Sequence, residues 1–247
     1  MSNSENKPLI TIITVVLNNK KKIDKALKSV ISQSYKNIEL VVIDGGSTDG
    51  TKNIIKKYKK KINYWISEKD DGIYDAINKG IKKSTGDIIG ILHSDDYFYK
   101  NAISIVARYF NENSSIDFLF GAVKKYKLLY GYKPWKIFFS FGFYSTHSVG
   151  FFIKRKSQIK LGYYNTKYKY SSDYDIFYRM IVKKSMTGIA TKKDEILGVF
   201  RRGGVSSRLS FIDYLNETIK IRLDNGQNRL LVLLIFILKY LKNIRKI

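Results

Sequence analysis

Two adjacent carboxylates follow an apolar segment in the stretch GILHSDDYF, residues 90–98. The run DIIGILH has the length of a buried strand, and Asp95 and Asp96 come just after it. Like charges this close repel each other and are tolerated only beside water, a cation or a partner. Mg²⁺ and Mn²⁺ are typically held by one or two protein carboxylates together with phosphate oxygens. The pair therefore indicates a divalent-cation site shared with a phosphate-bearing ligand, although capping of the helix near Asn101 would account for one acid.

A further acid, Asp44, ends the apolar run IELVVID and opens the turn DGGSTDGT. Gly45 and Gly46 permit a ligand to approach the backbone, and Ser47 and Thr48 are predicted to cap the next helix. Taken alone, this segment is equally consistent with an ordinary Asx-type turn. In open α/β sheets, however, ligands bind outside the carboxyl ends of the strands. Acids at two such ends predict one crevice for a nucleoside diphosphate and its cation.

The segments that position these acids alternate between two patterns. Apolar runs of strand length are followed by apolar residues at helical spacing. The strand-like runs are LITIITVV, IELVVID, INYWIS, DIIGILH and IDFLFGAV; the helix-like ones are KKKIDKALKSVISQS, DGTKNIIKKYKKK, GIYDAINKGIKKS and NAISIVARYF, the last with Asn101 as its predicted N-cap. This alternation predicts an α/β fold with a mostly parallel sheet covered by helices on both faces.

Beyond about residue 125 the regular alternation is lost. An aromatic-rich segment contains Pro134, one of the two prolines in the chain. After it, SVGFFIKR is predicted as a strand, SDYDIFYRMIVKKS as a helix, and EILGVFRRGGVSSRLS as a strand that leads into a glycine-containing loop.

Composition limits the class of protein. A chain of 247 residues that is 44% hydrophobic can bury a full core. It has no cysteine, which excludes disulfides and thiolate metal sites and fits a reducing compartment. The start MSNSENKPLI lacks the features of a secretory signal, so a cytoplasmic location is expected. The formal charge of +24 favours nucleic acid, anionic lipid or phosphorylated small molecules without distinguishing them, and most individual lysines are expected on solvated helix faces.

The C-terminal stretch RLLVLLIFILKYLKNIRKI has nine uninterrupted apolar residues, Leu230 to Leu238. A membrane span needs about 20 such residues. The surrounding cations suit a helix that lies in the interface of an anionic membrane; they are Arg229, Lys239, Lys242, Arg245 and Lys246. A buried helix that closes the core fits the same pattern nearly as well.

Four segments in order resemble the successive motifs of family 2 glycosyltransferases with the GT-A fold. They are ITIITVVLNN, SVISQSYKNIELVVIDGGSTDGT, GIYDAINKGIKKSTGDIIGILHSDD and SDYDIFYRM, and the resemblance covers roughly residues 8–205. It implies a GT-A sheet flanked by helices. Residues 1–96 would form its nucleotide-sugar-binding half, residues 97–208 its acceptor-binding and catalytic half, and residues 209–247 a helical tail that could contact the membrane.

The resemblance also implies roles for the acids. Asp44 would contact the nucleotide base, Asp95 would lie by the ribose, and Asp96 would coordinate Mn²⁺ or Mg²⁺ as the last acid of a DXD-like motif. This motif begins with Ser94 instead of an acid, a departure that is common in the family. A second departure is Gly45, which stands where many members have another acid, so the contacts assigned to that acid are not carried over to this chain. The turn that also contains Ser47 is expected to bind the nucleotide sugar.

The family's catalytic base matches Asp173, in SSDYDIFYRM. At the start of a helix its anion is favoured by the helix dipole, which suits a group that must accept a proton. Asp175 is the rival two residues on. His147 is expected beside the active site, although a lone histidine is more often structural. Arg201 and Arg202 fit a loop that closes over the diphosphate, and a surface turn fits them equally well.

These matches imply an inverting, metal-dependent transfer of a sugar from a nucleoside-diphosphate sugar to a glycan or lipid-linked acceptor in polysaccharide biosynthesis. The enzyme would lie at the inner face of the cell membrane and bind no nucleic acid. A nucleotidyltransferase is the rival enzyme, but it would need a glycine-rich, basic signature where this chain has TVVLNNKKK. A non-catalytic module for polyanions or membranes is the other rival, although an acidic crevice would repel phosphates without a metal.

Overall fold

The first half of the chain alternates strands and helices, as its sequence predicts. The computed structural model describes residues 7–139, 146–201 and 210–243. Its first elements are β1 (Ile10–Val16), α1 (Ile23–Ile31), β2 (Ile38–Asp44), α2 (Thr51–Lys57), a 3₁₀ turn (Lys59–Lys61), β3 (Tyr64–Ser67), α3 (Ile73–Lys83) and β4 (Ile88–His93).

The second half has shorter elements. They are β5 (Tyr97–Phe98), α4 (Ala102–Glu112), β6 (Phe118–Phe120), β7 (Ala122–Lys124), β8 (Leu128–Leu129), a 3₁₀ helix (Pro134–Phe139), β9 (Phe151–Lys154), α5 (Arg155–Leu161) and α6 (Ser172–Tyr178), which continues as a π-helix (Arg179–Lys183). Then come β10 (Gly188–Ala190), β11 (Ile196–Val199), α7 (Phe211–Asp224) and α8 (Arg229–Asn243).

A seven-stranded sheet forms the centre of the fold, in the order β10-β6-β9-β4-β1-β2-β3. β1 pairs in parallel with β2 and β4, and β2 with β3, whereas β9 is antiparallel to β4 and β6. The prediction of a mostly parallel sheet is confirmed. The carboxyl ends of β1 to β4 and the amino end of β9 therefore meet along one edge of the sheet.

Both faces of this sheet are buried, which explains why its strands are apolar throughout. Alternate residues of β1 enter two separate cores because successive side chains of a strand point to opposite faces. Ile13 belongs to the core that includes residues of α3 and α6. Ile12 belongs to the core that includes residues of α1 and α4.

The predicted strand IDFLFGAV is two strands. β6 belongs to the central sheet, whereas β7 joins a second, four-stranded sheet in the order β5-β11-β7-β8. Gly121 lies between them, and a Cβ atom there would come within 2.0 Å of Leu197 Cδ1. The chain passes from one sheet to the other at a point where a side chain has no space.

The predicted cap of α4 is also different. Asn101 precedes the helix, but its side chain makes no capping hydrogen bond. The backbone N–H of Ile103 instead donates to Oε1 of Gln33 at 3.0 Å. This cap comes from a residue 70 positions earlier in the chain, which a local sequence pattern does not report.

The C-terminal helices α7 and α8 contact each other, and α7 also contacts α6. Among the described residues, no helix combines the length and the apolar character needed to cross a membrane.

Candidate active site

Asp44 ends β2 and is fully buried. The backbone N–H of Ser47 donates to Oδ2 at 3.1 Å, the Ser67 hydroxyl at the end of β3 donates to Oδ2 at 2.5 Å, and the Ser47 hydroxyl donates to Oδ1. The carboxylate thus joins the ends of two strands and the turn between β2 and α2. The prediction that Ser47 caps α2 is wrong. The first backbone N–H of that helix, from Thr51, instead donates to Oδ1 of Asp49 at 2.9 Å.

The glycines of the turn make room for an acid from the loop that follows β3. A Cβ atom on Gly45 would lie 2.9 Å from Oδ2 of Asp70, and Gly46 has a φ of +84°, which favours glycine. Lys79 Nζ lies 2.6 Å from Asp70 Oδ1 and 2.9 Å from Glu68. Burial nevertheless raises the pKa of Asp70 above its usual range. Asp70 therefore brings a carboxyl group beside the position where Gly45 lacks one, a pairing that the sequence reasoning missed.

Two asparagines after β1 connect the neighbouring strand ends. The Asn18 N–H donates to the Ser47 hydroxyl at 2.8 Å, and Asn18 Oδ1 accepts from the Thr48 N–H at 2.8 Å. Asn19 Nδ2 donates to the Ser94 hydroxyl at 2.8 Å. The turn after β2 and the motif after β4 are therefore linked through the end of β1, and the predicted nucleotide-binding residues lie along one edge of the sheet.

Asp96 is 1% exposed. Its Oδ1 accepts the backbone N–H of Arg201 at 2.8 Å, whereas Oδ2 makes no hydrogen bond with a described residue, although the Ser148 hydroxyl lies near the carboxylate. Burial raises the pKa of Asp96 to about 7, and the charge of half-buried Asp95 adds to the shift. The backbone of Arg201 therefore lies beside the acid pair, whereas Arg202 lies outside the described residues.

The free oxygen of Asp96 fits a hard divalent cation. A buried polar atom without a partner is costly, and a cation is one group that would compensate it. Among the described residues, no group of three or more histidines and acids is placed to enclose a metal by itself. Mg²⁺ and Mn²⁺ are commonly held by one or two carboxylates and the phosphates of a substrate. Asp96 would be such a ligand, with Asp95 beside it.

Both histidines of the chain lie at this edge of the sheet. The ring centres of His93 and His147 are 5.8 Å apart, and His147 Nε2 lies 2.8 Å from the Tyr164 hydroxyl. Burial lowers the pKa of both imidazoles, that of His147 far below its usual range, so both are neutral at pH 7. The sequence reasoning found His147 but missed His93, whose position next to Ser-Asp-Asp was the available signal. Val149 nearby has a φ of +69°, a strained conformation for a β-branched residue.

Asp173 lies in the first turn of α6, half-buried. Its neighbours include Tyr74 and Tyr164, whose rings stack with centres 5.8 Å apart. Burial, with the nearby charge of Asp173, raises the pKa of both phenols well above their usual range. Since Tyr164 also contacts His147, a continuous set of side chains runs from the predicted base to the histidine pair beside the acids.

Asp175, the rival base, points elsewhere. It is 2% exposed, and its carboxylate accepts from Arg179 Nε at 2.9 Å and from Asn225 Nδ2 at 2.9 Å. Both of its oxygens therefore accept hydrogen bonds, one from the residue that follows α7 and one from the first residue of the π-helix. This arrangement suits a structural role for Asp175.

Comparisons with known proteins agree with this architecture. The family model described as "Glycosyl transferase family 2" matches residues 11–180, more than half of the chain. An uncharacterized glycosyltransferase of Rickettsia typhi is 29% identical over 188 residues, 70% of this chain and 59% of its own length. A Bacillus subtilis relative, TuaG, a proposed teichuronic acid biosynthesis glycosyltransferase, is 32% identical over 111 residues, 44% of each protein. The chain thus spans about three fifths of the length of the Rickettsia relative and less than half of TuaG.

Solved structures show the same fold. S. aureus TarS 1-349 in complex with UDP-GlcNAc has a TM-score of 0.72 at 19% identity, over 94% of this chain and 72% of that one. A mannosyltransferase from Pyrobaculum calidifontis in complex with GDP-Man and Mn²⁺ has a TM-score of 0.65 at 17% identity, over 95% of this chain and 70% of that one. With the motif series and the match across residues 11–180, these findings show that the chain belongs to glycosyltransferase family 2.

Proposed function

We propose that this chain is an inverting, metal-dependent glycosyltransferase that moves a sugar from a nucleoside-diphosphate sugar to a hydroxyl of a glycan or lipid-linked acceptor in polysaccharide biosynthesis. The observation that supports it most is the buried, unpartnered Oδ2 of Asp96 at the carboxyl end of β4. Two proteins of the same fold were solved with UDP-GlcNAc and with GDP-Man and Mn²⁺, and TuaG supports the polysaccharide role by its name.

The donor would bind along the edge of the sheet where β1, β2 and β4 end. Gly45 and Ser47 would bring the backbone of the turn close to the nucleotide, and Asp95 would accept a hydrogen bond from the ribose. Contact between Asp44 and the base requires the hydroxyl of Ser67 to turn aside, because the carboxylate is fully enclosed.

Asp173 would accept the proton of the acceptor hydroxyl. The oxygen then forms a bond to the anomeric carbon on the face opposite the diphosphate, and the bond to the diphosphate oxygen breaks with its electron pair. When bound at Asp96, Mn²⁺ or Mg²⁺ would stabilise the negative charge of the leaving group. Arg201 and Arg202 would add positive charge there. His147, neutral and bonded to Tyr164, would keep the side chains between donor and base in place.

Helix α8 supports contact with an anionic membrane on the cytoplasmic side. Large aliphatic residues at helical spacing form one exposed stripe: Leu230, Leu233, Leu234, Ile237, Leu238 and Leu241. Such a stripe suits the headgroup region of a bilayer, with exposed Arg229 and Lys242 near anionic lipid. Lys239, expected from the sequence to face lipid, instead points inward and lies 5.7 Å from the ring centre of Tyr214. Arg245 and Lys246 lie outside the described residues.

A thermal-shift screen of UDP-, GDP- and dTDP-sugars with Mn²⁺ tests the proposal, because a ligand that binds the native state raises its stability. One nucleotide class should raise the melting temperature in the presence of Mn²⁺, and Asp96→Asn should lose that dependence on Mn²⁺. The bound donor should then release a nucleoside diphosphate. Release of pyrophosphate from a nucleoside triphosphate and a sugar phosphate would instead identify a nucleotidyltransferase.

A further inference from the structure

We propose that Glu217 on α7 is a positioning residue, which holds the base segment, residues 167–175, in the geometry that proton transfer by Asp173 needs. The inference rests on the proposed function, in which Asp173 is the base. It gives a role at the active site to a helix within residues 209–247, which the sequence analysis described as a helical tail.

Glu217 accepts two hydrogen bonds from consecutive backbone amides of the base segment. The N–H of Lys169 lies 2.6 Å from its Oε1 and the N–H of Tyr170 2.9 Å from its Oε2. The carbonyl oxygen of Tyr170 accepts from the Tyr74 hydroxyl of α3 at 2.9 Å. Tyr170 is therefore held from both sides, by α7 and by α3, three residues before Asp173. Hydrogen bonds to a charged acceptor are roughly twice as strong as neutral ones.

Residues at the C-terminal end of α7 contact the chain before and after Asp173. Asp224 accepts from the Tyr168 hydroxyl at 2.7 Å and pairs with Lys167 at 2.9 Å. Asn225, which follows the helix, donates to Asp175 at 2.9 Å. α7 and the residue after it thus contact the chain on both sides of the base.

The guanidinium of Arg222 contacts the same segment at Tyr174. Arg222 is 1% exposed, and its guanidinium carbon is 5.3 Å from the ring centre of Tyr174. The Tyr174 hydroxyl and Arg222 both donate to the carbonyl oxygen of Ile137, at 2.9 and 3.4 Å. Tyr174 is the residue next to Asp173, so α7 also holds the first turn of α6 through Arg222.

The base segment needs this support because its own structure is weak. α6 is seven residues long and has no side-chain cap, and residues 162–171 form no helix or strand. A carboxylate that accepts a proton in the transition state must be held within a fraction of an ångström, and small displacements cost much of its effect. Glu217 supplies a fixed acceptor for two backbone amides that directly precede α6.

The test compares Glu217→Gln with Asn216→Ala, an exposed position on the same helix. The glutamine keeps the size of the side chain but directs an NH₂ group at one of the two backbone amides. With UDP-GlcNAc and GDP-mannose as donors and Mn²⁺ present, release of nucleoside diphosphate should fall about tenfold in kcat in Glu217→Gln while donor Kd stays unchanged. Hydrogen exchange at residues 167–175 should become faster in this variant and stay unchanged in Asn216→Ala.

Failure of the Glu217 inference and failure of the proposed function give different results. Wild-type kcat in Glu217→Gln would overturn the inference, even if hydrogen exchange becomes faster, because Glu217 would then be merely structural. Wild-type kcat in Asp173→Asn would overturn the assignment of the base and leave the exchange measurement to judge whether Glu217 holds the segment. If Glu217→Gln fails to fold, Glu217→Asp takes its place, because the shorter carboxylate cannot reach both amides. The same loss of kcat is expected, and wild-type kcat in that variant would contradict the inference.

Discussion

Asp96 should make the metal-free protein less stable as the pH rises, and Asp96→Asn should remove that effect. Burial raises the pKa of Asp96 in the folded protein to about 7 from its ordinary value of 3.8. Between those two values the unfolded chain has released the proton and the folded protein has kept it. The contribution of Asp96 to folding stability therefore falls as the pH rises through this window and is constant above it.

The size of the effect follows from the shift. The pKa values of the folded and unfolded protein differ by about 3, and each pKa unit is worth about 1.4 kcal/mol. The contribution of Asp96 to the free energy of unfolding should therefore fall by about 4 kcal/mol between pH 4 and pH 7. Asparagine has no proton to release, and its Oδ1 can still accept the N–H of Arg201. Its NH₂ group replaces the unpartnered oxygen and costs about 1–3 kcal/mol if it finds no acceptor. Metal-free Asp96→Asn should therefore be the more stable protein at pH 8 by about 1–3 kcal/mol.

Urea unfolding of both proteins in EDTA, at several pH values from 4.5 to 8, measures this difference. The two histidines titrate in both proteins, so the difference between the proteins isolates Asp96. The stability of the variant relative to wild type should rise with pH up to about 7 and then become constant. A difference that does not depend on pH would refute the reasoning that burial keeps the Asp96 carboxyl protonated in the folded protein up to about pH 7. Mn²⁺ should increase the stabilisation that a bound nucleotide gives to wild type and should not do so in the variant.

Three further predictions concern other parts of the molecule. Asp173→Asn should lower transfer at least about 10²-fold with donor affinity retained, and a larger kinetic loss in Asp175→Asn would reverse the assignment of the base. Burial lowers the pKa of Lys239 from 10.5 to about 7, so the unfolded chain binds the proton more tightly than the folded protein. Lys239→Met should therefore stabilise the protein by up to about 5 kcal/mol at pH 6 in urea unfolding, with the gain vanishing above pH 10. Replacing Leu234 and Leu238 by glutamine should reduce co-sedimentation with anionic vesicles, and equal pelleting of variant and wild type, at low and high salt, would place any membrane contact elsewhere.

The parts of the fold that sequence predicted are those set by local pattern. β2 occupies the predicted residues Ile38–Asp44, and the acids that follow β2 and β4 lie along one edge because parallel strands end together. Asp173 was placed at a helix start, and α6 begins one residue before it. These features depend on the alternation of apolar residues, which the sequence records directly.

The parts that sequence did not predict depend on contacts between distant residues. Leu197 explains the break at Gly121, and Gln33 bonds the start of α4. In α8 the residues from Leu230 to Leu238 are all apolar, so periodicity does not show which face turns inward, and Lys239 was assigned to the wrong side. The pairing of His93 with His147, 54 positions apart, likewise appears only in the folded chain.

The most direct test of the proposed transfer is the stereochemistry of the first sugar product. Proton NMR of UDP-GlcNAc or GDP-mannose, whichever the screen shows to bind, can follow the anomeric proton while water serves as the acceptor. Wild type with Mn²⁺ should first release the sugar with the anomeric configuration opposite to that of the donor, before mutarotation, and Asp173→Asn should release it far more slowly. First release of the sugar with the donor's own configuration would contradict the single displacement assigned to Asp173.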